Sequence, residues 1–220
     1  MLKNSKGLVV VAVSFLVTTA MLPARAADYP QSGNVPDVKV GDHWEYQSKG
    51  LFDNERRTEY SLTVTAVDAD HITLKRRDVE SGRTKTLERE RDWSDVSTPG
   101  HMAGRYLSFP LTPGKSWDTD QDVTNSVGNR VKWSTRMTVE GVERITVPAG
   151  TFDAIKVRGF GNWHILSTAR SDAHSSLEMT LWYVPAIKQI VRHELIVYPS
   201  TRSTVYNGWT EELTAYSLKP

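Results

Sequence analysis

The sequence predicts an all-β fold with minor α content: a curved antiparallel sheet of roughly eight to ten strands, half-barrel or barrel-like. Three observations lead there. Apolar side chains recur with period two, turn-forming residues punctuate those stretches, and no segment carries a sustained, capped stripe at 3.6-residue spacing.

Along the chain, Lys3 and Lys6 precede an apolar run over residues 7–22, and Pro23 and Ala24-Arg25-Ala26 follow it. That is the form of a secretory signal peptide cut after Ala26, and the run is shorter than the roughly 20 residues a membrane span needs. The expected division is a signal peptide over 1–26, an extended lead-in over 27–40 and a single β domain over 41–220. Strands are expected at 43–49, 60–66, 71–79, 84–93, 131–139, 152–165, 177–183, 189–198 and 205–218. In the second of these Tyr60, Leu62 and Val64 alternate with Ser61 and Thr63. Trp133, Met137 and Val139 do so in the fifth, and Leu177, Met179, Leu181 and Tyr183 in the seventh. Asp68-Ala69-Asp70, Ser81-Gly82, Pro113-Gly114 and Pro148-Ala149-Gly150 supply turns. A short helix is expected over 92–104.

An internal echo accompanies the pattern. Gly41-Asp42-His43-Trp44 matches Gly114-Lys115-Ser116-Trp117, and Asp70-His71-Ile72-Thr73-Leu74 matches Glu143-Arg144-Ile145-Thr146-Val147, both at an offset of 73. Two meander-like halves would produce it.

Composition excludes several classes of function. Cysteine is absent, which removes disulfides, thiolate metal sites and lipid attachment at a cysteine beside the cut, so a soluble periplasmic product is expected. The leader holds three of the 27 basic residues and no acid, so 24 basic face 26 acidic side chains in the remainder, a net charge of −2. That balance points to no nucleic acid. No nucleophile elbow, zinc-protease helix, phosphate-binding loop or dinucleotide fingerprint is present, and the six histidines share no short ligand spacing. No catalytic residue, metal site or cofactor is therefore expected. Asp118, Asp120 and Asp122 have the spacing of a calcium loop, but Val123 and Asn129 stand where its glycine and glutamate belong, so a solvated turn is the reading. Residues 83–92, Arg56-Arg57 and Arg76-Arg77 read as solvated strand faces. His193, in register with Val191, Leu195 and Val197, reads as a hydrogen-bonded core residue, and Trp93 and Trp209 as the tryptophans best placed for exposure.

Val147-Pro148-Ala149-Gly150-Thr151-Phe152, followed by Leu181-Trp182-Tyr183-Val184-Pro185 and Ile190-Val191-Arg192-His193-Glu194, resembles a set of uncharacterised exported bacterial β-proteins. Their V-P-A-G-T-F strand precedes a W-Y-x-P hairpin. Gly41-Asp42-His43-Trp44 and Phe109-Pro110-Leu111 fit the same pattern, while Ala186 and Lys188 stand where the hairpin usually has glycine. The set is distantly similar to the outer-membrane lipoprotein carrier and its receptor, half-barrels whose concave face holds acyl chains. The resemblance implies a non-enzymatic envelope protein sheltering a lipid, an acyl chain or a partner's segment. Tyr60, Leu62, Val64, Trp133, Met137, Leu181 and Tyr183 are the candidate lining, and residues 93–109 the candidate cover. The alternatives are an interaction module of an envelope assembly with a filled core, and a hydrolase or carbohydrate-active enzyme.

Overall fold

The computed structural model describes residues 35–51, 55–96, 104–124, 130–166, 175–198 and 207–220. The leader lies outside them. The described residues form ten antiparallel strands: β1 (His43–Gly50), β2 (Arg56–Val67), β3 (His71–Asp78), β4 (Thr84–Glu90), β5 (Ser116–Thr124), β6 (Arg130–Val147), β7 (Gly150–Ile165), β8 (Ser175–Val184), β9 (Gln189–Tyr198) and β10 (Asn207–Ser217). They make one curved, unclosed sheet in the order β4-β3-β2-β1-β10-β9-β8-β7-β6-β5. Two meanders, β1–β4 and β5–β10, are thus joined by the pairing of β1 with β10, from His43↔Ser217 to Gly50↔Trp209.

The two meanders begin alike, which is the physical content of the first echo. Gly41 (φ 92°) donates to Val64 O at 2.9 Å, and Val64 N donates back to Asp42 O at 2.9 Å. Gly114 (φ 81°) donates to Val139 O, and Val139 N to Lys115 O, both at 2.9 Å. Each glycine takes a left-handed conformation that a side chain would strain, turning the chain into its first strand. The second echo has no such counterpart: Asp70–Leu74 opens β3, whereas Glu143–Val147 closes the 18-residue β6.

Alternation buries one face. Trp44, Val64, Ile72, Leu74, Met137, Val139, Leu177, Met179, Leu181 and Leu213 belong to the core on the concave side. Register shifts at Glu45/Tyr46, Val64/Ala66, Val139/Gly141 and Trp182/Tyr183 mark bulges, which bend strands and increase twist. The outer face is charged. On β6–β9 Arg158 pairs with Glu178 at 2.5 Å and Lys156 with Glu143 at 3.0 Å, and Trp182 lies among Lys156, Arg192 and Glu143.

Two expectations are corrected. The aspartate run is no turn. Asp118, Asp120 and Asp122 lie on edge strand β5, paired with Arg136 (3.3 Å), Lys132 (2.8 Å) and Arg130 (2.6 Å) of β6. The Asp118–Arg136 pair is directly cross-strand and the other two are diagonal by one step, so acids alternating along β5 form a ladder with bases of β6 whose period is that of a strand. No helix occurs in 92–96 or at Gly104, and 97–103 lie outside the described residues.

Residues 91–115 connect the two edges of the sheet. Trp93 is seated edge-on against Trp44 (5.7 Å), and its indole donates to Lys188 O at 3.0 Å. Leu107 and Leu111 are fully buried, and Phe109 meets Tyr183 edge-on at 5.4 Å. Asp95 bridges Arg89 of β4, and Arg105 N donates to Thr119 Oγ1 of β5 at 2.7 Å, so both edges are tied down.

The start of β1, the β8–β9 turn and the C-terminal tail converge on Asp42. Its buried carboxylate accepts from Lys39 N (2.9 Å), Lys219 N (2.7 Å) and Lys188 Nζ (3.1 Å). Burial pushes this carboxyl up, but the two backbone donors and the ammonium outweigh it and hold it below the usual range. Lys188, standing where the resemblance expects glycine, takes the left-handed conformation itself (φ 61°) after a 3-10 turn at Pro185–Ile187. Its ion pair and its carbonyl's bond to Trp93 offset that strain.

Candidate functional site

Between the concave face and Trp93 and Tyr106 of the connection lies a cavity of about 340 Å³. Its walls come from nine strands and the connection. Tyr46 of β1 and Tyr60 of β2 stack at 5.3 Å, with Leu62 one step along the face. Leu74 and Arg76 of β3 and Leu87 and Arg89 of β4 continue that wall, and Gln121 of β5 and Trp133 of β6 stand on the far side. Leu181 of β8 joins Gln189, Ile190 and His193 of β9 and Trp209 and Glu211 of β10, and Trp93 and Tyr106 close over them. No β7 residue is among them. There Gly159 and Gly161 pair with Met137 and Thr135 of β6, and a Cβ on Gly161 would meet Ser134 O at 2.1 Å.

The lining is aromatic and aliphatic with a charged corner. The guanidinium of Arg76 lies 3.6 Å from the Tyr60 ring centroid, and no carboxylate among the described residues is within 4.0 Å of it. Arg89 differs, being paired with Asp95 at 2.7 Å. Burial raises the Glu211 carboxyl, a rise that Arg76 and the Tyr60 hydroxyl only reduce. His193, its cross-strand partner, has Nδ1 4.0 Å from the Glu211 carboxylate and packs edge-on against Trp209 at 4.6 Å. Burial pushes this imidazole down to about 4, so it is neutral at pH 7. Its Nε2 is buried without a hydrogen-bond partner. Burial likewise lifts the Tyr106 hydroxyl to about 12.

Of the candidate lining residues, the structure brings Tyr60, Leu62, Trp133 and Leu181 together around this cavity. Val64, Met137 and Tyr183 lie outside it, 1%, 0% and 2% exposed in the packed core. Phe109 covers Tyr183, and Val64 sits where β2 clamps Gly41 and Asp42. Sequence reasoning missed Arg76, Arg89, Gln121 and Glu211, whereas Trp93 and Tyr106 belong to the segment expected as the cover. A signal was available for three. Ile72 and Leu74 lead in register to Arg76, Leu87 leads to Arg89, and Glu211 lies between Trp209 and Leu213. The solvated-face reading holds for exposed Arg77 and Lys85 and fails for Arg76 and Arg89. Trp93 is 6% exposed, against the expectation of exposure, because Trp44 and Lys188 O take its ring and its N–H. His193 lacks the hydrogen bond expected of a core histidine: its Nε2 is buried with no partner.

No family model matches the sequence, and no curated protein matches it. Solved structures do. A candidate exported protein with a YmcC-like fold from Bacteroides fragilis superposes with a TM-score of 0.56 at 15% identity, over 83% of this chain and 97% of that one. A candidate lipoprotein from Parabacteroides distasonis superposes with a TM-score of 0.53 at 14% identity, over 86% and 97%. At such identities the likeness is one of fold.

Proposed function

We propose that this chain is an exported, non-enzymatic binding protein of the bacterial envelope that holds an amphiphile, its apolar body an acyl chain, under the connection that spans its sheet. The observation that carries this reading is the cavity of about 340 Å³, within the roughly 300–1,000 Å³ of small-molecule sites, walled by side chains from nine strands. Tyr60, Leu62, Trp133 and Leu181 are the ligand-contacting residues of this proposal. The leader-like run over residues 7–22 and the fold shared with a candidate exported protein support the envelope location. Among the described residues no helix is long and apolar enough to cross a membrane. Trp93, Trp133 and Trp209 make the test direct, because a ligand in the cavity changes their fluorescence. Titration with a fluorescent fatty-acid analogue should give saturable binding at roughly micromolar concentration. Leu62→Glu should weaken it at least tenfold, since the new carboxylate would be desolvated by the chain. Unchanged binding by Leu62→Glu, or none by the parent protein, overturns the reading.

A further inference from the structure

The cavity has polarity as well as volume. Arg76 is the basic group of its wall that lacks an ion-pair partner, since Asp95 already answers Arg89. Glu211 lies nearby, opposed across the strand pair by His193. The rings of Trp133 and Trp93 and the side chains of Leu62 and Leu181 give the wall apolar surface. An uncharged chain would leave the Arg76 guanidinium with no anion closer than Glu211, which lies beyond 4.0 Å, in a partly dry site, and that costs free energy.

We propose that the cavity selects an anionic single-chain amphiphile, its head group seated against Arg76, and that binding is accompanied by protonation of Glu211. This rests on the reading of the cavity as an amphiphile site. The charge logic follows from position. A second anion beside Arg76 competes with Glu211 for one guanidinium, and two neighbouring carboxylates in a buried site do not both stay ionised. The groups facing Glu211 are Tyr46 from β1, Tyr60 from β2, Arg76 from β3, Arg89 with its partner Asp95 from β4, Tyr106 from the connection and His193 from β9. Of these Arg76 alone is a cation without its own carboxylate, and His193 is neutral. Burial already moves Glu211 toward its protonated form. Bound anion moves it further, so a proton is taken up from solvent and affinity rises as pH falls.

The test compares dodecanoate with uncharged monododecanoylglycerol by calorimetry, below their aggregation concentrations and over about pH 6.5 to 8.5, where the free carboxylate stays ionised. Dodecanoate should bind about tenfold tighter or better. Arg76→Gln should erase that preference, bringing the ratio of the two affinities to about one. Dodecanoate affinity should fall as pH rises, and Glu211→Gln should flatten the profile and tighten binding at its alkaline end. Equal affinities, or a preference that survives Arg76→Gln, would overturn the head-group assignment and leave the amphiphile cavity standing. A pH profile the same in Glu211→Gln would overturn the proton coupling. If neither ligand binds, the cavity reading falls with it.

Discussion

His193 and Glu211 are opposed across one strand pair, and burial moves their affinities for protons in opposite directions. The imidazole binds its proton less readily folded than unfolded, so the unfolded chain takes up more protons between about pH 4 and the ordinary histidine value near 6.5. Its contribution to stability is therefore present above about 6.5 and lost as pH falls toward 4. Glu211 behaves in the opposite sense: its raised carboxyl favours the fold at low pH and costs stability as pH rises through its folded value. Urea unfolding at a series of pH values should show wild-type stability falling relative to His193→Gln as pH drops from 6.5 to 4; parallel curves would contradict the burial of this ring. On β6, Met137 is fully buried whereas Trp133 is partly exposed in the cavity wall. Met137→Ala should cost about 2–5 kcal/mol. Trp133→Ala should cost less, because its ring already borders empty space, and a melt in which Trp133→Ala is the more damaging would reverse that assignment.

At the level of elements, stability concentrates where strands approach closely or ends are tied. Gly161→Ala would drive a methyl group into Ser134 O, and a backbone atom has no rotamer by which to withdraw. At Gly159 the nearest obstacle is Met137 Sδ, the end of a flexible side chain. Denaturant midpoints should therefore rank Gly161→Ala below Gly159→Ala, although both substitutions add the same methyl group. Asp42→Ala should cost about 2–4 kcal/mol, since it strips two backbone N–H groups and the mostly buried Lys188 ammonium of their acceptor. Strand identity was largely legible in the sequence because the period-two pattern is local: β1, β3 and β9 begin at the expected residues. β5 was not, because its repeating side chains are charged, and their partners on β6 are visible only after pairing. The candidate site was legible in part for the same reason. Its apolar walls at Tyr60, Leu62, Trp133 and Leu181 follow from alternation. Its charged corner needs Arg76 of β3 and Glu211 of β10, residues whose common neighbourhood depends on the whole sheet.

For the molecule as a whole, the strand order places the first and last strands side by side, with residues 91–115 running from one sheet edge to the other. The C-terminal tail returns to the start of β1, where Lys39 Nζ donates to Pro220 O at 2.6 Å. If export removes the leader, N-terminal sequencing of the periplasmic product should begin at Ala27. The same strand order has a consequence for how the chain can be connected. Joining Pro220 to Val35 by a short linker and opening the chain within residues 97–103 gives a circular permutant whose strands follow one another in their spatial order, from β5 through β10 to β1 and on to β4. In the natural order β1 must await the arrival of β10, a pairing between residues at opposite ends of the described chain. In the permuted order every strand pairs with its predecessor, so relative contact order falls. Such a permutant should refold faster in stopped-flow experiments while keeping the same sheet.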